Sequence, residues 1–265
     1  MATIRDSLKR AYYSAVSAVH RRPVALGETP PMVTFTFDDF PRSAYDAAGA
    51  TLRAFGGHGT YYAAAGWMDG GPPSSDRYRT ADLPDLLRDG HELGTHTYSH
   101  VSCRSLSTAA YAAEIARGHE ALQQLVGDGA SAHFAFPFGA VTPAVKKAAA
   151  RQCPSCRGTI GGCNGPVADL NFLRANHLYS DSVAFPDIQA LIAGAARPGR
   201  WLIFYTHDVR DHPSPFGCTP RYFEDTVRCA AGAGMRILTV GEALAAIGAA
   251  PPASPASPAP AATPA

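Results

Sequence analysis

Apolar and polar positions along this chain alternate between short apolar runs and amphipathic stretches. Residues 32–37 form a run of apolar and β-branched side chains set between prolines, and read as a buried strand. Residues 43–55, ending at Gly56-Gly57, read as a helix, and residues 59–65 as a second strand. A short helix over 83–89 leads into a strand before His96. The most regular helical pattern covers 107–125, with Ser107 as N-cap. A strand over 133–136, a helix from Pro143 through Arg151, a short strand over 155–160 and another within 170–179 follow. A helix over 186–195, a strand over 201–206, a helix over 221–234, a strand over 236–240 and a helix over 241–247 complete the series. Repeated strand-then-helix order predicts an α/β fold, a distorted (β/α) barrel of about seven mostly parallel strands. A site in such a barrel sits at the C-terminal ends of the strands, where Asp39, His96 and His207 all fall.

The ends of the chain follow other patterns. Ile4, Leu8, Tyr12, Ala15 and Val19 lie near helical spacing, with Arg5, Lys9, Arg10, Arg21 and Arg22 beside them. That pattern predicts a short helix on the barrel's outside, or a basic amphipathic helix on an anionic membrane. Residues 69–76 are turn-rich and read as a surface loop. Residues 249–265 are almost wholly Pro, Ala and Ser, and read as a disordered, locally extended tail. The expected organisation is a basic helical segment over 1–30, one barrel domain over 31–248, and the tail.

Composition narrows the classes. With 265 residues, 46% hydrophobic and 17% charged, the chain suits one globular domain. A net charge of +1 argues against a nucleic-acid partner, which would demand many phosphate contacts. There is no uncharged apolar stretch of about 18 residues, and no continuous apolar core near the N-terminus, so neither a membrane span nor an ordinary secretion signal is expected. The expectation is a cytoplasmic protein, with residues 1–22 available for peripheral contact at the inner face of a membrane. Six cysteines then read as reduced thiols; Cys153, Cys156 and Cys163 offer a structural metal site or redox pair as the sharper alternative. No dinucleotide signature is present, Gly232-Ala-Gly234 lacking its third glycine, and no Gly-x-Ser-x-Gly elbow marks a serine hydrolase.

The chemistry concentrates in two stretches. Asp38 and Asp39 follow the first buried strand directly, and adjacent carboxylates there call for a compensating cation or proton. His96 and His100 stand four residues apart and converge if the chain turns helically between them. With one carboxylate they would form a His, His, Asp metal site with an open position. His91-Glu92 begins the zinc-protease pattern His-Glu-x-x-His, but Thr95 occupies the place of its second histidine.

Thr36-Phe-Asp-Asp39 followed by His96-Thr-Tyr-Ser-His100 resembles the polysaccharide deacetylase family, the NodB homology domain of carbohydrate esterase family 4. Phe134-Ala-Phe-Pro-Phe-Gly139 and Ile203-Phe-Tyr-Thr-His207-Asp208 resemble that family's later motifs, in the same order. The resemblance runs from about Met32 to Ile247. It implies a metal-dependent hydrolase that removes an N-acetyl or similar small acyl group from an N-acetylated saccharide, which could be lipid-linked. It implies Asp39, His96 and His100 as ligands of one divalent ion. Zinc suits that set, and cobalt or nickel would also fit. It makes Asp38 the general base and His207 the general acid, with the Phe138 backbone N–H facing the oxyanion. Gly139, Phe136, Phe138, Tyr98 and Phe40 could floor a sugar groove, or could be core. The chain departs from the pattern twice. The position of the arginine that pairs with the base in many relatives is Ala135, with Arg157 the nearest substitute if it is not a surface residue. No aspartate is selected behind His207, although Asp181 and Asp187 are available. Other readings are hydrolysis of a formamide or cyclic amide on the same fold, and a non-catalytic carbohydrate-binding module.

Overall fold

The computed structural model describes residues 12–68 and 76–249. The loop over 69–75 and the tail over 250–265 lie outside the described residues, as do residues 1–11. The strands are β1 (Pro23–Ala25), β2 (Met32–Asp38), β3 (Thr60–Ala63), β4 (Glu92–Thr95), β5 (Ala130–Ala135), β6 (Cys156–Arg157), β7 (Val167–Asp169), β8 (Asn176–His177), β9 (Trp201–Thr206) and β10 (Arg236–Ile237). The helices are α1 (residues 12–18), α2 (Ala50–Ala54, continuing a π-helical turn over Ala44–Gly49), α3 (Leu83–Arg88), α4 (Thr108–Val126), α5 (Pro143–Ala149), α6 (Phe185–Ala195), α7 (Pro220–Gly232) and α8 (Val240–Ala246).

β2 organises the sheet because all seven of its residues are buried. It pairs with β9 along Met32–Phe37, with β3 over Thr36–Asp38, and with β10 at Met32 and Val33. The main sheet runs β6-β5-β4-β3-β2-β9-β8, with β10 beside β2, and all its pairings are parallel. Helices between strands cover the outer face, which is why the strands read as apolar runs. The two edges approach each other: Leu173 N–H donates to Cys156 O (2.8 Å), Gly158 N–H to Leu173 O (2.9 Å) and Ala175 N–H to Ile160 O (3.1 Å). The result is a distorted (β/α) barrel. The strand expected over 155–160 shortens to β6 because residues 158 and 160 bond across this seam instead of in a regular ladder.

The described part of the N-terminal segment holds a short helix against the barrel, but a different face is buried from the one the spacing suggested. Among the described part of 1–30, only residues 12–18 are helical, and β1 pairs antiparallel with β7. Tyr12, Ala15 and Val19 are exposed, whereas Val16 is buried with Phe134, Phe136 and Phe172. Tertiary contacts choose that face. Tyr12 Oη donates to Val141 O and Tyr13 Oη to Gly139 O, both at 3.0 Å. The buried Lys146 donates to the carbonyls of Val16 (3.3 Å) and Ser17 (3.2 Å) and pairs with Asp169 (2.8 Å). Those carbonyls belong to the last turn of α1, where a cation is favoured. No helix among the described residues is long and apolar enough to cross a membrane.

His91 belongs to the core rather than to any site. Its Nδ1 accepts the Gly59 N–H (3.0 Å), and burial pushes its pKa down from 6.5 to about 4. Between those values the unfolded chain binds a proton that the folded chain does not, so stability is lost as pH falls through this window. The drop in denaturation midpoint from pH 7 to pH 4.5 is therefore expected to be smaller in His91→Asn than in wild type. Equal drops would remove this residue as a source of acid sensitivity.

Candidate metal centre and active site

Side-chain parity along β2 sets the site's first half. Val33, Phe35 and Phe37 pack outward with Leu52, Phe223 and Val227, so Thr34, Thr36 and Asp38 take the opposite face, inside the barrel. There Asp38 forms an ion pair with Arg157, and both are buried. Arg157 lies opposite Ala135 in the parallel register of β5 and β6, so its guanidinium enters from one strand over. It packs 5.3 Å from the Tyr62 ring and 5.0 Å from that of Tyr205. Burial is the largest single influence on Asp38 and would raise its pKa, but the charge and hydrogen bond of Arg157, together with His96 and His207, outweigh it and hold the carboxyl below the usual carboxylate range.

Asp39 turns the other way. Its φ of +57° and the +42° of Phe40 break the strand, so the next carboxylate swings to the barrel mouth. Phe40 anchors this turn, buried and stacked on Tyr78 at 4.2 Å. Asp39 Oδ1 stands 3.0 Å from His100 Nε2 and 3.7 Å from His96 Nε2, and Oδ2 stands 3.8 Å from His207 Nε2.

The two histidines do not converge through a helical turn. Residues 96–100 are irregular, and Thr97 (φ +61°) and His100 (φ +51°) fold the chain back in left-handed conformations. α4 holds this loop: Tyr98 N–H donates to Glu114 O (3.0 Å) and Ser99 N–H to Glu114 Oε2 (2.9 Å). The helix comes close because residue 118 is glycine; a Cβ there would stand 2.8 Å from the Thr97 carbonyl carbon. Five of the six described non-glycine residues with positive φ (Asp39, Phe40, Thr97, His100 and Phe138) lie at this mouth. Backbone strain of this kind persists only where surrounding structure enforces it.

The donor set fits a cation. His96 Nδ1–H donates to Ala135 O (2.8 Å), which leaves the Nε2 lone pair facing Asp39. Burial lowers the pKa of His96 and takes that of His100 down to about 3, so both rings are neutral lone-pair donors. Burial raises the pKa of Asp39, and its Oδ1 is buried with no hydrogen-bond donor. One ligand atom from each of Asp39, His96 and His100 lies within 4.8 Å of the others, and no other such trio of His, Cys, Asp or Glu occurs among the described residues. A divalent cation would satisfy all three atoms at once. The cysteines form no such set: all six are free thiols, Cys153 and Cys156 are buried, and Cys163 faces the carbonyls of Asn164 and Trp201.

His207 follows β9 directly and faces the same point. Its Nδ1–H donates to Phe216 O (3.1 Å), and Asp39 is the one described carboxylate within 4.0 Å of its ring. Asp181 hydrogen-bonds to Ser180, and Asp187 sits in the first turn of α6. Asp208 shapes the loop that presents Phe216 O, accepting from Ser214 N (2.7 Å), Ser214 Oγ (2.6 Å) and Arg210 Nε (2.8 Å). His100 lies between the rings of Trp67 (4.4 Å) and Phe138 (4.5 Å). Of the aromatics the sequence offered for a groove, Phe40 and Phe136 are core, whereas Phe138 is 68% exposed. Trp67, Arg77 and Phe216 also shape the mouth and had no sequence signal; Asp208 had only its place beside His207.

A cleft of about 220 Å³ opens over Asp39 and His207, walled by Trp67, Arg77, Arg210 and Phe216. A larger cavity of about 470 Å³ lies beside α8, lined mostly by apolar residues and His133. His133 also bridges Ser155 (2.9 Å) and Glu92 (3.5 Å), an order that mimics a hydrolytic triad. Ser155 is fully buried, and Glu92 is occupied by Thr60 Oγ1 and the Gly241 N–H, so that network is structural.

Fold and donor set together define a parallel-barrel protein with a candidate metal centre at its mouth. A model of the polysaccharide deacetylase family matches residues 26–153. The carbohydrate esterase family 4 domain of a multidomain xylanase from the hindgut metagenome of Trinervitermes trinervoides is similar in structure. Its TM-score is 0.56 at 17% identity, over 85% of this chain and 95% of that one. The peptidoglycan deacetylase of Bacillus subtilis gives 0.52 at 15% identity, over 83% and 92%. A pseudoenzyme of the same esterase family from Bacillus anthracis gives 0.54 at 13%, over 82% and 66%. At these identities the likeness carries the fold; activity has to be argued from residues. No curated protein matched the sequence.

Proposed function

We propose that this chain is a metal-dependent hydrolase that removes an N-acetyl, or similar small acyl, group from an amino sugar. The observation that carries the reading is the convergence of Asp39, His96 and His100 beside the Asp38–Arg157 pair and His207. Asp39, His96 and His100 would hold the ion. Zinc suits that set, with cobalt or nickel also fitting, and the ion would supply Lewis-acid polarisation of the acyl carbonyl and a more acidic water. Asp38, kept ionised by Arg157, takes the proton of the attacking water. His207 carries its hydrogen on Nδ1 toward Phe216 O, so a proton gained at Nε2 is aimed at the cleft and can pass to the departing nitrogen. Water adds to the carbonyl carbon, the C–N bond breaks, and acetate and the free amine leave. The Phe138 N–H is the donor assigned to the oxyanion. The exposed rings of Phe138 and Phe216 offer apolar faces to a sugar.

The test is acetate release from N-acetylglucosamine oligomers by protein loaded with zinc or cobalt. Release is expected to stop on chelation, to return with metal, and to disappear together with bound metal in His96→Ala. A protein that binds the metal and yet releases acetate from no such substrate would end this reading.

A further inference from the structure

Arg77 and Arg210 both line the cleft over Asp39. Arg210 is already matched, by Asp208 at 2.8 Å and Asp76 at 3.6 Å. Arg77 forms no ion pair with any described residue, and its Nε is buried without a hydrogen-bond partner among them. Packing holds it in place. Its guanidinium carbon sits 4.0 Å from the centroid of the Trp67 ring, and Trp67 in turn sits 4.4 Å from the ring of His100. A backbone bridge between Pro41 and Arg77 fixes the segment against the turn that carries Asp39. The cation is thus one aromatic ring away from the candidate metal centre, on a wall that substrate must pass.

Partial desolvation of an unmatched guanidinium is unfavourable, and stacking on an indole recovers only part of that cost. A guanidinium so placed offers a planar fork of N–H donors, which suits a carboxylate or a phosphate. We infer that Arg77 is a specificity-determining residue that reads an anionic substituent, carboxylate or phosphate, on the N-acylated sugar. The inference rests on the hydrolase reading for the sugar and the amide; the anion requirement rests on the cleft alone. A purely structural alternative is that Arg77 only balances the charge of Asp39, which it is close enough to influence.

Three probes separate these possibilities: N-acetylglucosamine, its 6-phosphate, and N-acetylmuramic acid, which carries a carboxylate. Binding is measured by calorimetry on metal-loaded protein, and acetate release on the same samples, for wild type, Arg77→Gln and Arg77→Lys. Wild type is expected to bind one anionic probe about tenfold or more better than the neutral one, the size of one charge-assisted contact. Arg77→Gln should bring that ratio close to one, and Arg77→Lys should keep part of it. Whichever anionic arm shows the preference identifies carboxylate or phosphate. The inference is overturned if wild type shows no preference, if the ratio survives in Arg77→Gln, or if all probes weaken by one common factor there, as charge balance alone predicts. Arg77-dependent anion binding with no acyl release from any probe would support this subsite and count against the hydrolase reading instead.

Discussion

Asp38→Asn is expected to lower acetate release by about 10²–10⁴-fold, the usual contribution of a positioned proton acceptor. Metal content should stay at the wild-type level, because the convergent ligand atoms belong to Asp39, His96 and His100. The amide keeps the shape of the carboxylate and one oxygen for Arg157 to donate to, so the barrel should remain folded. The measurement is turnover alongside metal stoichiometry on the same preparation. Turnover near the wild-type level would remove Asp38 as the base, whereas loss of metal would mean that it is part of the cluster.

Arg157→Ala should strike stability as well as activity. Arg157 is fully buried and Asp38 is 5% exposed, so the substitution leaves a carboxylate in the barrel interior without its cation. Breaking a buried pair from one side costs about 3–5 kcal/mol, a large share of a domain's total stability. The pH profile should also move. At present Arg157, with His96 and His207, overrides burial and keeps Asp38 low. Without Arg157 the largest influence opposing burial is gone, and the carboxyl ionises only at higher pH. A base must be ionised to accept a proton, so the acidic limb of the activity profile shifts upward. Arg157→Lys, which keeps charge but not the planar fork, should fall between the two. An unchanged guanidinium-chloride midpoint together with an unshifted limb would show that the pair matters to neither folding nor the site.

Much of this molecule is visible in one dimension because the governing signals are local. Apolar runs and their spacing give the strand–helix order, and β2 reads as buried from its own composition. Two adjacent carboxylates after a buried strand, a histidine pair and a strand-end histidine are visible for the same reason. The N-terminal stripe shows where local reading ends. Tyr12, Ala15 and Val19 keep helical spacing, yet contacts with residues 139–146 turn Val16 inward.

The site itself was decided by tertiary structure. Asp39 and His100 approach to 3.0 Å only because positive φ angles at both residues redirect their side chains, and no propensity announces that strain in an aspartate or a histidine. Arg157 reaches Asp38 because the register of two short strands sets it opposite Ala135, and register is a property of the curled sheet. A backbone carbonyl, that of Phe216, holds the His207 ring, and carbonyls carry no mark in sequence. Arg77 gains its meaning from Trp67 beneath it and from the lack of a described ion-pair partner. Sequence determined which groups the protein owns and on which elements they ride. Only closure of the barrel, which joins residues far apart in the chain by register and desolvation, decided which of them meet and what charge each one carries.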